Sequence, residues 1–235
     1  MYRQYMRPLI AIAGVLVFAT LAAIATTAPD SPLARPAEST AVPTVLEWPP
    51  ALPTEQALPG HLRLLAGFAL PVATIELPAD QAFLPNSRRD YRAGYHEGID
   101  FVAKAGVPVM AAKAGTIVRV DSTFTDWSVA ERQAAFDMAL ALGHTPDALL
   151  DRIRGRQVWI DHGDGIVTRY AHLEAVAPLR AGDVVIAGRV IGAVGSSGYP
   201  EGGPHLHFEI RDGDGFYGDG LALPQLRYAI SAAFR

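Results

Sequence analysis

The chain contains no cysteine among its 235 residues. Disulfide scaffolds, thiolate zinc ribbons and cysteine nucleophiles are therefore excluded together. Any metal ion that the protein binds must be held by histidine, aspartate or glutamate side chains.

An excess of basic residues is also missing. The formal net charge is −4 and the isoelectric point is near 6.0, so the sequence offers no positive field for nucleic acid. The sequence also lacks a glycine-rich phosphate loop and a regular alternation of strands and helices. We therefore expect neither a nucleic-acid partner nor a parallel nucleotide-binding sheet.

Residues 1–28 have the pattern of an export signal. Arg3 and Arg7 precede an uncharged run over residues 8–28, and about 20 apolar residues suffice to span a bilayer. Two interpretations stay open: an uncleaved membrane anchor helix, which the length favours, and a signal peptide cleaved after Ala25 or Ala28. In both cases the rest of the chain is exported.

Residues 29–60 are rich in proline, alanine, threonine and glutamate. Prolines spread through this segment disfavour both helices and strand pairing, which predicts a disordered linker. The folded domain is expected over residues 61–235.

Short β-branched runs separated by glycine turns dominate the expected domain. They lie at residues 115–121, 157–162, 165–173, 183–188, 189–195 and 205–211. The pattern predicts a mainly β, antiparallel domain.

One insertion, residues 127–154, breaks the β pattern and predicts a helical hairpin. Ser128 and Glu131 have the spacing of a capping box, Gly143 can close the first helix, and Thr145 is expected to cap the second. The hairpin interrupts a run of strands, so we expect it to decorate the β core.

Three of the seven histidines occupy positions typical of structural or surface residues. His61 lies at the linker boundary, His144 lies in the turn of the helical hairpin, and His162 lies at a β-turn where its ring can bond to backbone. The other four, His96, His172, His205 and His207, are candidates for metal binding or catalysis.

Two of these four lie one residue apart in the segment GGPHLHFEI, residues 202–210. Because successive strand side chains point to opposite faces, His205 and His207 share one face, while Leu206 and Phe208 take the core face. This strand is expected to carry chemistry on one side only.

The segment YHEGIDF places His96 and Asp100 four residues apart, with Gly98 between them. In an extended segment all three share a face, and the glycine is expected to leave space between two ligands. Catalytic zinc keeps three protein ligands and one open position. His96, Asp100 and either His205 or His207 would complete that set, leaving the other histidine of the pair and His172 to move protons.

Five segments together carry a specific resemblance. HEGIDF, VPVMAAKAGTIV, WIDHGDGIVTRYAHL, AGDVVIAGRVIGAVGSSG and GPHLHFEIR resemble the LytM/lysostaphin-type zinc metallopeptidases in order and spacing. The resemblance covers a core of residues 70–212. It implies an antiparallel β-sheet or half-barrel of the duplicated hybrid motif type.

The resemblance also implies a division of roles. One zinc ion per chain would be held by His96, Asp100 and His207, and the two proton-handling histidines would be His172 and His205. The implied partner is the peptide stems and cross-bridges of bacterial peptidoglycan. The implied activity is hydrolysis of the cross-bridges by a zinc-activated water that attacks the scissile carbonyl. The implied location is the cell envelope: the domain lies in the periplasm or the extracellular space, anchored to the membrane or secreted if the leader is cleaved.

Two carboxylates lie close to these histidines in sequence. We interpret Glu97 as an exposed carboxylate. Glu209 lies two residues after His207, on the same face of the strand, and is a candidate acceptor that orients a ligand ring.

The insertion 127–154 is longer than the connection expected in the family. It predicts either a wall or lid over the substrate groove or a packed ornament.

Three rival functions stay open. A catalytically idle, membrane-anchored activator of another cell-wall hydrolase would keep the fold, but all five chemical positions are filled here, which favours an enzyme. Ser196 and Ser197 are candidate serine nucleophiles, although their spacing makes no nucleophile elbow. A biotinyl-type carrier module would need a lysine at a hairpin, and Lys104 and Lys113 are not so placed.

Overall fold

Antiparallel β-strands make up most of the regular structure. The computed structural model describes residues 58–60, 62–73 and 75–235; the predicted anchor helix, most of the linker and His61 lie outside them. Within the described residues there are twelve strands: β1 (Arg88–Arg89), β2 (Gly94–Tyr95), β3 (Ile99–Val102), β4 (Pro108–Met110), β5 (Gly115–Asp121), β6 (Gln157–Asp161), β7 (Ile166–Ala171), β8 (Ala175–Val176), β9 (Val184–Val185), β10 (Val190–Ala193), β11 (His205–Asp212) and β12 (Gly215–Phe216).

Helices are fewer. The described part of the chain has three α-helices, α1 (Val129–Leu142), α2 (Asp147–Arg154) and α3 (Leu223–Ala233), and short 3-10 turns at Gln81–Phe83, Asp90–Arg92 and Pro200–Gly202. No helix within these residues is both long and apolar enough to cross a membrane. The mainly β, antiparallel fold class is therefore confirmed for the described domain.

The main sheet has seven strands. Its order is β12-β11-β7-β6-β5-β9, and β3 pairs with β11 on the edge that β12 also uses. A three-stranded sheet runs β4-β10-β8, and β1 pairs with β2. All six runs predicted as strands contain strands, with ends that differ by a few residues.

The core lies against one face of the main sheet, as the alternation of β11 predicts. Leu206, Phe208 and Ile210 are buried in the main hydrophobic cluster together with Phe101 and Tyr170. Burying each such side chain contributes about 1.5–3 kcal/mol. The opposite face of β11 is consequently left for polar residues.

Helix α3 was not predicted from the sequence. Its buried side chains recur with helical spacing at Leu226, Ala229, Ile230 and Ala233, and they belong to the main core. The periodic signal was therefore present in the sequence, but it is short and follows a glycine-rich segment.

The insertion forms the predicted helical hairpin, α1 and α2. The capping box of Ser128 and Glu131 is present, and Gly143 ends α1 in the left-handed conformation. The expected cap at Thr145 is wrong: α2 begins after Pro146 without a side-chain cap, because the Thr145 hydroxyl donates to the carbonyl of Arg92 instead.

The hairpin packs on a small hydrophobic cluster of its own. Trp127 and Phe136 lie in this cluster, and Tyr91 and Tyr199 stack on each other beside Phe136 with ring centroids 5.4 Å apart. The indole of Trp127 also donates to the carbonyl of Gly198 at 2.8 Å. These contacts hold the hairpin against the segments that flank β2 and β11.

Candidate metal centre

Strand pairing brings the predicted site residues together. β11 lies between β3 and β7, so His207 faces Asp100 on one side and Ala171 on the other. His96 lies just before β3, and His172 follows the last residue of β7. Residues more than a hundred positions apart thus meet at one end of the sheet.

Three potential ligand atoms converge in this centre. His96 Nε2 and His207 Nδ1 each lie 2.9 Å from Asp100 Oδ1, and the two nitrogens lie 3.0 Å apart. All three side chains are buried. The three atoms form a nearly equilateral triangle, which is the arrangement of one face of a tetrahedral metal site.

The second ring nitrogen of each histidine already has a partner. His96 Nδ1 donates to the carbonyl of Leu84 at 3.0 Å, and His207 Nε2 donates to Glu209 Oε1 at 3.2 Å. A neutral imidazole has one N–H, so these bonds leave His96 Nε2 and His207 Nδ1 to offer lone pairs. Two lone pairs and a carboxylate oxygen facing one another fit a cation, and this donor set suits zinc.

Electrostatics agree with a site that attracts positive charge. Burial lowers the pKa of His207, but its bonds with Asp100 and Glu209 outweigh burial and raise the pKa to about 9. Burial would raise the pKa of Asp100, yet His96 and His207 hold it well below its usual value. The raised pKa describes the metal-free protein, in which the carboxylates favour an extra proton on His207; a bound cation would displace that proton and satisfy the same carboxylates.

His172 and His205 lie beside the triangle. Their ring centroids are 4.7 Å apart, and the Nδ1–H groups donate to the carbonyls of Ser197 and Gly203 at 2.9 and 2.8 Å. Burial lowers the pKa of His172 well below its usual value, and His205 and His207 lower it further. His172 is therefore neutral at pH 7, with Nε2 as a proton acceptor.

The backbone of His172 has a left-handed conformation, with φ of 60°. Such values are uncommon outside glycine and are often found at functional sites. Its backbone N–H donates to the carbonyl of Arg154 at 2.8 Å, where α2 ends. The hairpin therefore helps to hold the turn that places this ring.

A network of charges lies behind His207. Glu209 is fully buried, and its carboxylate accepts hydrogen bonds from Arg154, Arg169 and Arg211 as well as from His207. Arg154 and His207 hold the pKa of Glu209 well below its usual value, although burial acts in the opposite direction. The predicted contact between Glu209 and the ring of His207 is present.

A cavity of about 370 Å³ opens onto the centre. Its lining includes the five residues of the predicted site, Tyr91 and Tyr199, and Leu150, Ile153 and Arg154 from α2. Of the predicted roles for the insertion, the structure supports a wall: α2 forms one side of the cavity and is packed in place.

Two expectations about the first histidine segment are wrong. Glu97 is not an exposed carboxylate, because it forms an ion pair with the buried Arg92 at 3.0 Å. Gly98 does not leave open space between ligands: a Cβ there would come within 2.5 Å of the Phe208 carbonyl oxygen and 3.0 Å of the His207 ring. Glycine is required because β11 passes so close.

Replacing Gly98 with alanine should therefore destabilise the domain. The added methyl group must displace either the β11 backbone or the His207 ring, which we expect to lower the free energy of unfolding by about 1–3 kcal/mol. Denaturant unfolding measures this change. Gly215→Ala is a matched control, since a Cβ there meets nothing closer than 4.0 Å; an equal loss in both variants would contradict the steric argument.

The serine alternative loses support in the structure. The Ser197 hydroxyl donates to the carbonyl of Leu173 and accepts from the backbone N–H of Arg156. In the described residues no histidine is hydrogen-bonded to the hydroxyl of Ser196 or Ser197. His172 contacts Ser197 through its backbone carbonyl only. His162 has the structural role predicted for it, bonding to the Ala114 carbonyl and to Thr168.

Sequence reasoning missed the arginines around the centre. Arg89 donates to Asp100 Oδ2 at 3.3 Å, Arg92 pairs with Glu97, and Arg154 pairs with Glu209. Their partners lie 5 to 55 residues away in the sequence, so no local sequence pattern predicts these ion pairs. The helical spacing of α2 could have indicated only that one face of this helix is buried.

The family of the chain follows from its match to a model of a known protein family. The model of Peptidase family M23 matches residues 94–217, which contain all five predicted site residues. The chain belongs to peptidase family M23. The resemblance to LytM/lysostaphin-type peptidases that the sequence motifs carry is thereby confirmed.

Individual M23 relatives are similar over part of their length. DD-carboxypeptidase/endopeptidase Mpg of Neisseria meningitidis is 35% identical over 142 residues, which are 59% of this chain and 26% of that protein. Lysostaphin of Staphylococcus simulans is 32% identical over 117 residues, 49% of this chain and 18% of that protein. Peptidoglycan DD-endopeptidase ShyC of Vibrio cholerae is 27% identical over 115 residues, which are 49% of this chain and 20% of that protein. The chain thus spans about a quarter or less of these relatives.

Proposed function

We propose that this M23 chain is a zinc-dependent endopeptidase that hydrolyses peptide cross-bridges of bacterial peptidoglycan. The observation that carries the proposal is the convergence of His96 Nε2, Asp100 Oδ1 and His207 Nδ1 within 3.0 Å of one another. The names of Mpg and ShyC, which identify peptidases and peptidoglycan, support the substrate class.

The proposal assigns one zinc ion to His96, Asp100 and His207. When bound there, zinc would supply Lewis-acid chemistry, polarising a carbonyl and lowering the pKa of water. Glu209 fixes the ring orientation of His207, and the Leu84 carbonyl fixes that of His96. Arg89 holds the second oxygen of Asp100 in place.

The proton steps are assigned to His172 and His205. Neutral His172 accepts the proton of the attacking water at Nε2, because its Nδ1–H is committed to the Ser197 carbonyl. The imidazolium that forms can hydrogen-bond the developing oxyanion and then protonate the leaving amine. His205, with Nδ1 on the Gly203 carbonyl, presents Nε2 to the same space.

The proposed location is the cell envelope, where peptidoglycan lies. Residues 1–28 would anchor the chain or direct its export, and residues 29–60 would tether the domain; both assignments come from sequence pattern and fall almost entirely outside the described residues.

Purified full-length protein tests the activity. Incubated with zinc and purified peptidoglycan, the wild type is expected to release fragments with newly cleaved peptide bonds, measured by liquid chromatography and mass spectrometry. His172→Ala should keep its zinc and cleave about 10²- to 10⁴-fold more slowly, because it loses the proton acceptor. A chelator should stop cleavage, and added zinc should restore it.

The outcomes separate the rival functions. A wild type that binds zinc but releases no fragments would support the idle activator and refute the proposal. Cleavage that survives complete metal removal would favour a serine hydrolase.

A further inference from the structure

Arg154 combines burial with unused hydrogen-bond donors. It is the last residue of α2, it is only 7% exposed, and it lines the cavity that opens onto the candidate metal centre. Its Nε–H donates to Glu209 Oε1 at 2.6 Å. Neither terminal nitrogen has a hydrogen-bond partner among the described residues, although a guanidinium carries five N–H donors.

The other arginines that line the cavity are different. Both terminal nitrogens of Arg89 bond to the protein, and so do both of Arg92. Arg88 lies at the exposed rim and pairs with Asp90. Within the described part of the cavity wall, Arg154 is therefore the arginine with both terminal nitrogens free for a ligand.

Arg154 shares its hydrogen-bonded carboxylate with other cations, although Glu97 and Asp151 also lie near enough to favour its charge. Arg154, Arg169 and Arg211 all donate to the single carboxylate of Glu209, which also accepts from His207. Three guanidinium groups thus share one carboxylate in a buried cluster. Buried charges are costly unless they are paired, so an anionic ligand in the cavity would give the terminal nitrogens of Arg154 the hydrogen-bonded partner that the shared carboxylate does not provide.

Arg154 also lies close to the groups assigned to chemistry. Its Nε and His207 Nε2 donate to the same oxygen of Glu209, and its carbonyl accepts from the backbone N–H of His172. An anion bound to its free nitrogens would therefore lie beside the reacting peptide bond.

We propose that Arg154 binds a carboxylate of the substrate peptide, so that the helical insertion selects substrates with an acidic group next to the scissile bond. The planar fork of arginine matches a carboxylate, which it can bind through two parallel hydrogen bonds. This inference rests on the proposed function, since it concerns a peptide bound in the same cavity. The carboxylate has two possible sources, the free C-terminus of a stem or an acidic side chain.

Binding of three synthetic stem peptides tests the inference. One peptide has a free C-terminal carboxylate, the second has a side-chain carboxylate and an amidated C-terminus, and the third has both groups amidated. Calorimetry on zinc-loaded, full-length His172→Ala protein measures dissociation constants without cleavage. At least one acidic peptide is expected to bind roughly 10- to 100-fold more tightly than the amidated peptide, and the tighter one identifies the source.

Replacing Arg154 with methionine in this background should abolish the preference, and Arg154→Lys should retain part of it because the charge stays without the fork. Arg211→Met is the matched control. It removes the same charge from the Glu209 cluster, but Arg211 does not line the cavity, so the preference should survive. Circular dichroism and zinc content verify that each variant is folded and loaded.

Two results would overturn the inference: equal binding of all three peptides by the Arg154 protein, or a preference that Arg154→Met leaves unchanged. Neither result depends on cleavage. If the wild type fails to cleave peptidoglycan but discriminates acid from amide through Arg154, the proposed activity fails and this inference stands. If the wild type cleaves peptidoglycan but binds all three peptides equally, the proposed activity stands and this inference fails.

Discussion

Replacing His207 with alanine is expected to remove both the zinc and the activity, whereas replacing His205 should remove activity and leave the zinc in place. This outcome would assign separate roles to two histidines on one face of β11. His207 Nδ1 lies 2.9 Å from Asp100 Oδ1, within the triangle of ligand atoms, while His205 Nε2 lies 3.8 Å from that oxygen.

The strand register explains why one histidine should not replace the other. His207 lies opposite Asp100 on β3, and His205 lies one pleat further, opposite Val102. His205 also bonds to the Gly203 carbonyl, which directs its ring, while Glu209 supports His207. Moving His205 into the ligand position would require a shift of β11 that breaks its pairing with both β3 and β7.

Zinc content after dialysis, measured by mass spectrometry, checks this division alongside the peptidoglycan assay. We expect about one zinc per chain in the wild type and His205→Ala, and about none in His207→Ala. His144→Ala serves as a control, because His144 lies exposed in the turn between α1 and α2 and should keep zinc and activity. If His205→Ala lost zinc as completely as His207→Ala, the assignment would be wrong.

Local sequence pattern was enough to predict strands β5, β6, β7, β9, β10 and β11 and the chemical face of β11. The alternation in residues 205–211 separates histidines from core residues, and strand geometry enforces the same separation in the structure. His96 and Asp100 were expected to share one face of a single extended segment. Only Asp100 lies on β3, and His96 lies in the segment between β2 and β3.

The support of the centre could not be predicted in the same way. Arg154 and Glu209 are 55 residues apart and meet where the last residue of α2 lies beside β11. Gly98 is required by the approach of β11, more than a hundred residues later. Such contacts depend on tertiary packing, whereas strand alternation and helix caps depend on neighbours in the sequence.

Replacing Glu209 is expected to lower the free energy of unfolding substantially. Its side chain is fully buried and accepts from Arg154, Arg169, Arg211 and His207. Glu209→Gln would preserve the shape but leave three guanidinium groups without a carboxylate. Removing one partner of a buried ion pair costs about 3–5 kcal/mol, because the other charge stays buried and uncompensated.

Thermal and denaturant unfolding of the zinc-free protein measure this loss without a contribution from bound metal. We expect a midpoint about 10 °C lower for Glu209→Gln. The exposed Glu174 has no side-chain partner among the described residues, so Glu174→Gln should change the free energy of unfolding by less than about 0.5 kcal/mol.

A double replacement distinguishes lost charge balance from lost packing. If excess positive charge is the cause, Arg154→Met should destabilise the Glu209→Gln protein less than it destabilises the wild type, because it then removes an uncompensated cation. Zinc affinity of Glu209→Gln should fall roughly 10- to 100-fold, since the support of the His207 ring is weakened. Strictly additive effects on stability, with zinc affinity unchanged, would show that Glu209 serves packing alone and that the arginine cluster needs no counter-charge.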